Sequence, residues 1–275
     1  MKSPGDAFAG RQVLITGGTS GIGLALARRV AALGAGVTLV ARGPERLASV
    51  AQEIGALTSR PVRTLALDIS DRAAVADRVP AEAAGQPVDV LVNSAGIAAP
   101  AKFMETEPDD LHHQMEVNYF GAVWMCRALL PHLIERPKGH VVNVGSTASV
   151  IGVFGYSGYT PPKFALYGLS EVLRAELAPT RVGVTIVLPG STQTPMLDGE
   201  LAMAPPETRK ILTSNPVLTP DQVADATVQA VARGRFEVVP GIVNRISTRA
   251  YRLAPSVGRR FLDLEARSGA RAKGK

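Results

Sequence analysis

Short apolar segments alternate with longer helical patterns along most of this chain. The apolar segments span residues 11–16, 37–40, 62–67, 88–92, 140–144 and 182–188. The helical patterns span 24–32, 45–54, 73–84, 109–130, 164–177 and 221–233. Strands that are apolar along nearly their whole length are typical of a parallel sheet covered by helices on both faces. The alternation predicts an α/β protein with a doubly wound parallel sheet. Because no linker interrupts it, we expect a single domain over residues 1–241.

A glycine-rich turn directly follows the first apolar segment. Gly17, Gly21 and Gly23 lie between that segment and the helical pattern that begins at Leu24. Glycines let the backbone approach a ligand closely, and a helix N-terminus offers N–H groups and a positive dipole end to a pyrophosphate. The same glycines would suit a tight turn without a ligand. Their place between a strand and a helix favours dinucleotide binding in a Rossmann-type fold.

Polar residues follow the next strands at their carboxyl ends, which is the edge where parallel sheets bind ligands. Arg42, Asp68 and the run 93–96 occupy such positions. An NAD-selective site would present an acid to the ribose hydroxyls after the second strand, yet positions 40–43 hold none. Arg42 is able to pair with a 2′-phosphate instead. We therefore predict NADP(H) in preference to NAD(H), with a solvated surface charge as the alternative interpretation of Arg42.

Tyr159 and Lys163 are a candidate catalytic pair. They stand four residues apart at the start of a helical pattern, so they share one face of the helix. Pro161 and Pro162 suit a first helical turn. A free tyrosine has a pKa of about 10, and a nearby ammonium lowers that pKa toward the range of a general acid or base. Such a pair is also common on solvated helix faces, so its meaning depends on the rest of the site.

Together these residues resemble the short-chain dehydrogenase/reductase family, over about residues 10–239. The motifs are Thr16-Gly17-x-x-x-Gly21-Ile22-Gly23, Asn93-Ser94-Ala95-Gly96, Asn118, Ser146, Tyr159-x-x-x-Lys163 and Pro189-Gly190. Ser94 replaces the family's usual second asparagine, and Pro161-Pro162 replaces its usual Ala-Ser before the lysine. The resemblance implies a homo-oligomeric enzyme, a dimer or tetramer. Such an enzyme moves hydride between a nicotinamide cofactor and a small-molecule ketone or alcohol.

The resemblance also implies a role for each catalytic residue. Tyr159 would donate the proton to the carbonyl oxygen during reduction, and Ser146 would hydrogen-bond and orient that oxygen. Lys163 would bind the nicotinamide ribose and lower the tyrosine pKa. Asn118 would support a water-linked proton relay.

Neighbouring hydroxyl groups compete for these roles. Ser149 and Ser157 are rivals, but only Ser146 has the family spacing, thirteen residues before Tyr159. Tyr156 is a rival phenol, although no lysine stands four positions after it.

The cofactor-binding set implied by the resemblance is larger. Asp68 and Ile69 would contact the adenine, residues 93–96 would line the cofactor, and residues 189–194 would lie over the nicotinamide. The full set is Gly17, Thr19, Ser20, Gly21, Ile22, Gly23, Arg42, Asp68, Ile69, Asn93, Ala95, Gly96, Tyr159, Lys163, Pro189, Gly190, Thr192 and Thr194.

Residues 152–169 are similar to those of 3-ketodihydrosphingosine reductases, which reduce a long-chain keto amine on membranes. We therefore expect an NADPH-dependent carbonyl reductase with a long-chain 3-keto lipid as its candidate substrate. One alternative is an NAD-linked alcohol dehydrogenase of a small or steroid-like substrate. Another is a catalytically silent NADP-sensing module. The complete catalytic set argues against the sensor, because a sensor needs the pocket but no proton relay.

Charge and cysteine content exclude other classes. The net charge of +6 is concentrated at the C-terminal end, where nine basic and two acidic residues give segment 245–275 a net charge of +7. The basic residues are Arg245, Arg249, Arg252, Arg259, Arg260, Arg267, Arg271, Lys273 and Lys275. The rest of the chain shows no basic patch with interleaved aromatics, so no nucleic-acid binding is predicted. A single cysteine, Cys126, excludes an intramolecular disulfide.

Neither a metal site nor a membrane span is expected. His112 and His113 are adjacent and face different sides of a helix, while His132 and His140 have no cysteine or acid at ligand spacing. The first ten residues contain no signal-like apolar segment, and no apolar run approaches the ~18–20 residues of a span. These features favour a cytoplasmic location.

Two segments fall outside the alternating pattern. Residues 195–220 are rich in Met, Pro and Thr and lack a clean period, which we interpret as a mobile substrate lid. Residues 242–275 form a basic amphipathic tail, in which apolar residues recur at helical spacing: Ile242, Val243, Ile246, Ala250 and Leu253. An apolar face bordered by arginines is typical of a helix that lies on an anionic membrane surface. Packing on the domain or on a partner subunit is the alternative.

Overall fold

The computed structural model describes residues 3–58 and 60–271 of the chain. Lys273 and Lys275 of the predicted basic tail lie outside the described residues. A parallel seven-stranded sheet forms the centre of the molecule. Its strands are β1 (Gln12–Thr16), β2 (Gly36–Ala41), β3 (Arg63–Ala66), β4 (Val90–Asn93), β5 (His140–Val144), β6 (Gly183–Val187) and β7 (Glu237–Val238). The strand order is β3-β2-β1-β4-β5-β6-β7, which confirms the predicted doubly wound parallel sheet.

Helices cover both faces of the sheet. They are α1 (Pro4–Phe8), α2 (Gly21–Ala32), α3 (Pro44–Thr58), α4 (Arg72–Gly85), α5 (Pro108–Met115), α6 (Gly121–Glu135), α7 (Thr160–Glu176), α8 (Pro195–Met203), α9 (Pro206–Ser214), α10 (Pro220–Ala232), α11 (Ile242–Leu253) and α12 (Pro255–Arg271). Alternate residues of β1 serve the two layers: Val13 and Ile15 pack with α2 and α10, while Leu14 packs with α4 and α6. Fully burying each such side chain contributes about 1.5–3 kcal/mol, which fixes the helices against the sheet.

The order of the strands reverses between β1 and β4. β2 and β3 extend the sheet to one side of β1, and β4 to β7 extend it to the other. A crevice forms beyond the carboxyl ends of the strands at such a reversal, and ligands bind there. Thr16 and Asn93 are paired neighbours at the ends of β1 and β4, so they mark the floor of this crevice.

The helix predicted over 109–130 differs from the observed one. A π-helical turn, Glu116–Phe120, separates α5 from α6, and α6 continues past Pro131 to Glu135. A π turn inserts a single residue into a helix and leaves the apolar period nearly unchanged, so the sequence does not reveal it. Leu133, two residues after the proline, is fully buried.

The short strand β7 was not predicted. It contains only Glu237–Val238 and is defined by its pairing with β6. Two residues carry no periodic pattern, so only the pairing partner identifies this strand.

The segment 195–220 is more regular than expected, because it contains α8 and α9. The Thr194 hydroxyl caps α8 by accepting a hydrogen bond from the Leu197 N–H at 3.3 Å. Pro195 and Pro206 occupy the first turns of the two helices, where a missing N–H costs nothing. The segment lacks a clear period because the buried residues of α8 include the charged Glu200, while the apolar Met203 is exposed.

The tail folds as α11 and α12, and α11 is attached by its polar side. Asn244 and Thr248 are buried, and the Arg252 guanidinium binds the Glu237 carboxylate through two hydrogen bonds of 2.8 and 2.7 Å. Ile246 and Leu253 on the other side are 62% and 87% exposed. This arrangement is the reverse of an ordinary amphipathic helix, which buries its apolar side.

The second tail helix, α12, packs against α9 and so joins the tail to the segment that we interpret as a lid. Within the described ranges, no helix is both long enough and apolar enough to cross a membrane.

Candidate active site

The glycine turn after β1 brings three backbone segments into close contact. Gly17 has a φ of +67°, and a Cβ there would lie 2.8 Å from the Ala95 Cα. A Cβ at Gly23 would overlap the Gly17 carbonyl oxygen. Only glycine fits at both positions, so the turn stays tight and α2 begins directly over the end of β1.

Thr16 joins this turn to the segment after β4. Its hydroxyl oxygen accepts hydrogen bonds from the N–H groups of Ser94 and Ala95, both at 3.1 Å. The serine that replaces the usual asparagine at position 94 therefore keeps the turn. The two strand ends form one continuous wall of the crevice.

One cavity of about 230 Å³ extends along this wall to the lid segment. It brings together most of the residues that the sequence predicted for the site: Gly17, Ser20, Gly21, Ile22, Gly23, Ala95, Gly96, Ser146, Tyr159, Lys163, Pro189, Gly190, Thr192 and Thr194. Six predicted residues do not line it: Thr19, Arg42, Asp68, Ile69, Asn93 and Asn118.

Asn93 and Ile69 support the crevice from behind. The Asn93 amide donates to the Asn143 side-chain oxygen at 2.9 Å within a buried network. Ile69 is buried against Gly121 at the start of α6. In this structure both side chains therefore hold other elements in place.

Arg42 and Asp68 lie near each other beyond the ends of β2 and β3. Burial disfavours the charged form of Asp68, but two hydrogen bonds from Ser70 and the Arg42 charge hold the Asp68 pKa below its ordinary value. The exposed Arg42 guanidinium therefore stands at the rim of the crevice, near a carboxylate that stays ionised.

The π turn between α5 and α6 carries Asn118. Its side-chain oxygen accepts from the Ile97 N–H at 3.0 Å, and its NH₂ group donates to the Ile97 carbonyl at 2.9 Å. A Cβ at Gly96 would lie 2.8 Å from the Asn118 Oδ1 and 3.6 Å from the Lys163 Nζ. Asn118 and Lys163 are thus close to each other, beside Gly96.

Ser146 is fixed by a short 3₁₀ turn just after β5. Its Oγ accepts from the Ala148 N–H at 3.1 Å, and the Ser149 hydroxyl accepts from the Ser146 N–H at 3.1 Å. The Ser146 hydroxyl also hydrogen-bonds Tyr159. The rival Ser149 is used in this cap, and the rival Ser157 donates to the Ala101 carbonyl at 3.2 Å.

The pKa of Tyr159 is shifted in the direction opposite to the one predicted from the sequence. Burial raises the pKa of the Tyr159 phenol above its ordinary value, and the Glu200 charge adds to this effect against the hydrogen bond from Ser146. The Lys163 Nζ lies 5.4 Å from the centre of the Tyr159 ring and donates to the Val144 carbonyl at 3.0 Å. Burial lowers the pKa of Lys163 to about 8. The predicted lowering of the tyrosine pKa is therefore outweighed in this state, and the phenol keeps its proton.

Two further polar residues of the cavity were missed as site residues. Tyr156, considered only as a rival phenol, lies with its ring centre 5.1 Å from that of Tyr159. Its hydroxyl donates to the carboxylate of Glu200, which α8 places in the cavity wall. No sequence signal identifies Glu200, because its segment has no clean period.

The backbone at the start of α2 gives the crevice a shape that suits a dinucleotide. Ser20 is the N-cap residue of α2, and its side chain makes no capping hydrogen bond. The glycines at 17, 21 and 23 line the cavity at this helix N-terminus, where free N–H groups suit a pyrophosphate.

A second, open groove lies beside the cavity. Val153, Tyr156 and Ile211 border both spaces. Phe154 and the α12 residue Leu262 line the groove farther out. The candidate catalytic residues thus lie beside an open groove whose lining includes several apolar side chains.

The other titratable side chains that the structure describes do not form a metal site. Burial lowers the pKa of His140 to about 3, and its ring nitrogen lies 2.9 Å from the Thr185 hydroxyl. No cluster of three or more His, Cys, Asp or Glu side chains that could hold a metal occurs in the part of the chain that the structure describes.

Comparison with known proteins agrees with this geometry. Residues 11–204 match the sequence model of the short chain dehydrogenase family. A 3-dehydrosphinganine reductase from Danio rerio is 38% identical over 232 residues, covering 82% of this chain and 70% of that protein. A 3-ketodihydrosphingosine reductase from Bos taurus is 37% identical over 235 residues, covering 84% and 71%.

Two solved structures show the same fold. A short-chain dehydrogenase/reductase from Burkholderia phymatum in complex with NAD has a TM-score of 0.81 at 25% identity, covering 91% of this chain and 96% of that one. A short-chain dehydrogenase from Sphingobium yanoikuyae in complex with NADPH has a TM-score of 0.75 at 27% identity, covering 91% and 93%.

Proposed function

Because this chain belongs to the short-chain dehydrogenase/reductase family, we propose that it reduces a long-chain 3-keto lipid to the alcohol with NADPH. As a member of that family it is an NAD(P)-dependent oxidoreductase that acts on carbonyl or hydroxyl groups. The observation that supports the finer proposal is the groove beside α12, which has apolar lining residues and shares Val153, Tyr156 and Ile211 with the cavity.

Tyr159 is the proposed proton donor. Reduction adds a hydride to the carbonyl carbon and a proton to the carbonyl oxygen, and the nicotinamide cofactor supplies the hydride when bound. The raised pKa of Tyr159 keeps the phenol protonated at neutral pH, which is the form that a donor needs. The Ser146 hydroxyl, hydrogen-bonded to the phenol, orients the same carbonyl oxygen.

Lys163 and Asn118 are the proposed means of reprotonating the tyrosine. The two residues lie near each other, since both approach the position that a Cβ at Gly96 would occupy. With a pKa of about 8, the Lys163 ammonium is able to release and regain a proton near neutral pH.

The groove supports a substrate with a long hydrocarbon chain. Its walls include Val153, Phe154, Ile211 and Leu262, so an alkyl chain lying in the groove would contact apolar side chains. Each CH₂ group of the substrate that is buried there contributes about 0.8 kcal/mol to the free energy of binding. The two relatives described above are named for the reduction of a ketone of this kind.

Arg42 supports the choice of NADPH. Its guanidinium follows β2 at the rim of the crevice, where a 2′-phosphate would meet it. Since related structures contain NAD in one case and NADPH in another, Arg42 is the feature of this chain that favours the phosphate.

We further propose that the exposed apolar side of the tail contacts an anionic membrane surface. Ile242, Ile246 and Leu253 are exposed on α11, beside Arg245 and Arg249. Each basic residue near such a surface contributes about 1 kcal/mol to the free energy of membrane binding.

A ketone series tests the proposed function. Long-chain 3-ketones of graded length are offered with NADPH or NADH, and cofactor oxidation is followed. We expect kcat/KM to rise with chain length and to be higher with NADPH. Oxidation that is independent of chain length would favour a small-substrate dehydrogenase. Tight NADPH binding without any turnover would favour a sensor.

A further inference from the structure

The tail contributes one side chain to the wall of the catalytic cavity. Asn244, in the first turn of α11, lines the cavity and is only 4% exposed. It lies outside residues 11–204, which match the short chain dehydrogenase model, so that match assigns it no role.

The Asn244 amide is only partly hydrogen-bonded within the protein. Its Nδ2 donates one hydrogen bond, of 3.3 Å, to the Pro240 carbonyl. Among the residues that the structure describes, no group donates to its Oδ1 and none accepts from its second N–H. A side-chain amide has two N–H donors and one acceptor oxygen, and burying them without partners costs free energy. A polar group of a ligand in the cavity would supply the missing partners.

Gly190 fixes the place of this amide in the cavity. A Cβ at Gly190 would lie 2.6 Å from the Asn244 Nδ2 and 2.7 Å from its Oδ1, so the glycine leaves room for the amide. The preceding residue, Pro189, accepts a hydrogen bond from the Thr147 N–H at 2.9 Å, next to Ser146. Asn244 therefore lies at the catalytic end of the cavity. Hydride transfer brings the nicotinamide against the carbonyl carbon, so the nicotinamide half of a dinucleotide belongs at this end.

Helix α11 buries little of its own apolar surface. Its buried residues are Asn244 and Thr248, which are both polar. The buried Thr248 hydroxyl has no hydrogen-bond partner among the described residues. A segment with few buried apolar contacts opens locally at a low free-energy cost. A ligand that gives Asn244 its partners would therefore hold α11 in place.

We propose that Asn244 binds the nicotinamide half of the dinucleotide, so that cofactor binding and the attachment of α11 stabilise each other. The inference rests on the proposed use of NADPH and adds to it a binding residue from the tail. The partner of Asn244 is a group that both donates and accepts hydrogen bonds, as the carboxamide and the ribose hydroxyls do. Because such coupling is reciprocal, detaching α11 also lowers the affinity for the cofactor.

Three ligands of decreasing size test this assignment. They are NADPH, 2′-phospho-ADP-ribose, which lacks the nicotinamide, and adenosine 2′,5′-bisphosphate, which lacks the whole nicotinamide half. Their Kd values are measured by calorimetric titration for the wild-type protein and for Asn244→Leu, which keeps the approximate size and removes the amide. The control is Thr248→Val, which removes a buried hydroxyl from the next turn of the same helix, outside the cavity lining.

We expect Asn244→Leu to weaken NADPH binding by about 10-fold, as for the loss of a hydrogen bond to a buried group. Binding of adenosine 2′,5′-bisphosphate should stay unchanged, and Thr248→Val should bind both ligands like the wild-type protein. A loss for 2′-phospho-ADP-ribose as well identifies the ribose hydroxyls as the partner, and no loss there identifies the carboxamide. An equal loss for all three ligands, or no loss for NADPH, overturns the proposal. If the wild-type protein binds no NADPH, the proposed function fails instead.

Hydrogen exchange of the wild-type protein is a second measurement, which needs no folded variant. NADPH should slow the exchange of backbone amides in both α2 and α11, because it would contact both helices. Adenosine 2′,5′-bisphosphate should leave exchange in α11 as it is in the free protein. Slower exchange in α2 with unchanged exchange in α11 on addition of NADPH overturns the proposal.

Discussion

Tyr159 keeps its proton because its phenol is buried away from water, which disfavours the charged form. The sequence places a lysine one turn away and predicts a lower pKa, but burial and the charge of Glu200 act in the opposite direction. Burial depends on which elements cover the residue, and α8 is far away in sequence. The spacing therefore identifies the pair of residues but does not reveal which of them holds the proton.

Tyr159→Phe removes only the hydroxyl group. We expect cofactor binding to persist while kcat falls by about 10²–10⁴-fold, the contribution of a general acid. Stopped-flow and titration measurements with NADPH separate the two effects. Tyr156→Phe is the matched comparison, because its ring lies in the same cavity. If Tyr156→Phe loses turnover and Tyr159→Phe does not, the donor is Tyr156.

The ionisation of Glu200 predicts a pH dependence of stability. Its pKa is raised from 4.5 to about 7, so the folded state binds this proton more tightly than the unfolded state does. The resulting stabilisation is complete below pH 4.5 and is lost as the pH rises through 7. Tyr156, Tyr159 and Lys163 face the carboxyl group and remain in both proteins compared below.

Glu200→Gln should therefore gain stability relative to the wild-type protein between pH 5 and pH 8. The gain is about 1.4 kcal/mol for each unit by which the pKa is raised. Urea unfolding at the two pH values measures it. A difference between the two proteins that is the same at both pH values would show that the carboxyl group titrates normally.

Arg42→Asp replaces the proposed 2′-phosphate partner with a carboxylate close to Asp68. The ratio of Kd values for NADPH and NADH should shift toward NADH by at least about 10-fold, since a favourable charge pair becomes repulsive. Arg127→Asp makes the same change of charge on α6, away from the cavity, and should leave the ratio as it is. An equal shift in both variants would show that Arg42 acts only through the general surface charge and not as a partner of the 2′-phosphate.

At the level of the elements, the parallel strands and the glycine turn were predictable from sequence. Both depend on local patterns, namely continuous apolar runs and glycines at fixed spacing. The π turn, β7 and α8 were not, because pairing or packing with distant segments defines them. Glu200 belongs to this second group, and so does the supporting position of Asn93 behind the crevice.

Gly23→Ala tests how tightly the turn and helix α2 are joined. The added Cβ would overlap the Gly17 carbonyl oxygen, so the helix start must move away from β1. NADPH affinity should fall by at least about 10-fold, because this backbone forms the proposed pyrophosphate site. Calorimetric titration measures the loss.

Gly168→Ala is the control for that change. Gly168 is exposed within α7, with no atom within 4 Å of the added Cβ. Alanine there should stabilise the protein by roughly 0.5–1 kcal/mol without changing NADPH affinity. Similar losses of affinity in both variants would mean that Gly23 has no special role.

At the level of the whole molecule, the tail packs against the rest of the chain. Asn244 borders the catalytic cavity and α12 packs on α9. A chain ending at residue 241 would lose these contacts. A change in its vesicle binding could then come either from the missing tail or from a disturbed cavity. Single substitutions on the exposed side of α11 are the better test.

Ile246→Asp places a carboxylate on that exposed apolar side. Co-sedimentation with anionic vesicles should fall by at least about 5-fold, since both apolar contact and charge attraction weaken. Leu57→Asp changes an equally exposed leucine, 72% exposed on α3, and should sediment like the wild-type protein. If wild-type protein does not bind vesicles but forms a dimer that Ile246→Asp dissociates, the surface belongs to a subunit interface.

The position of α12 also has a kinetic consequence. This helix forms one wall of the groove through Leu262, and its residues Phe261 and Leu264 are exposed. With the tail resting on lipid, a ketone would enter sideways from the bilayer without crossing bulk water. Saturation would then depend on the mole fraction of ketone in the plane of the membrane and not on its total concentration. Inert lipid added at constant ketone would slow turnover by diluting the substrate in two dimensions.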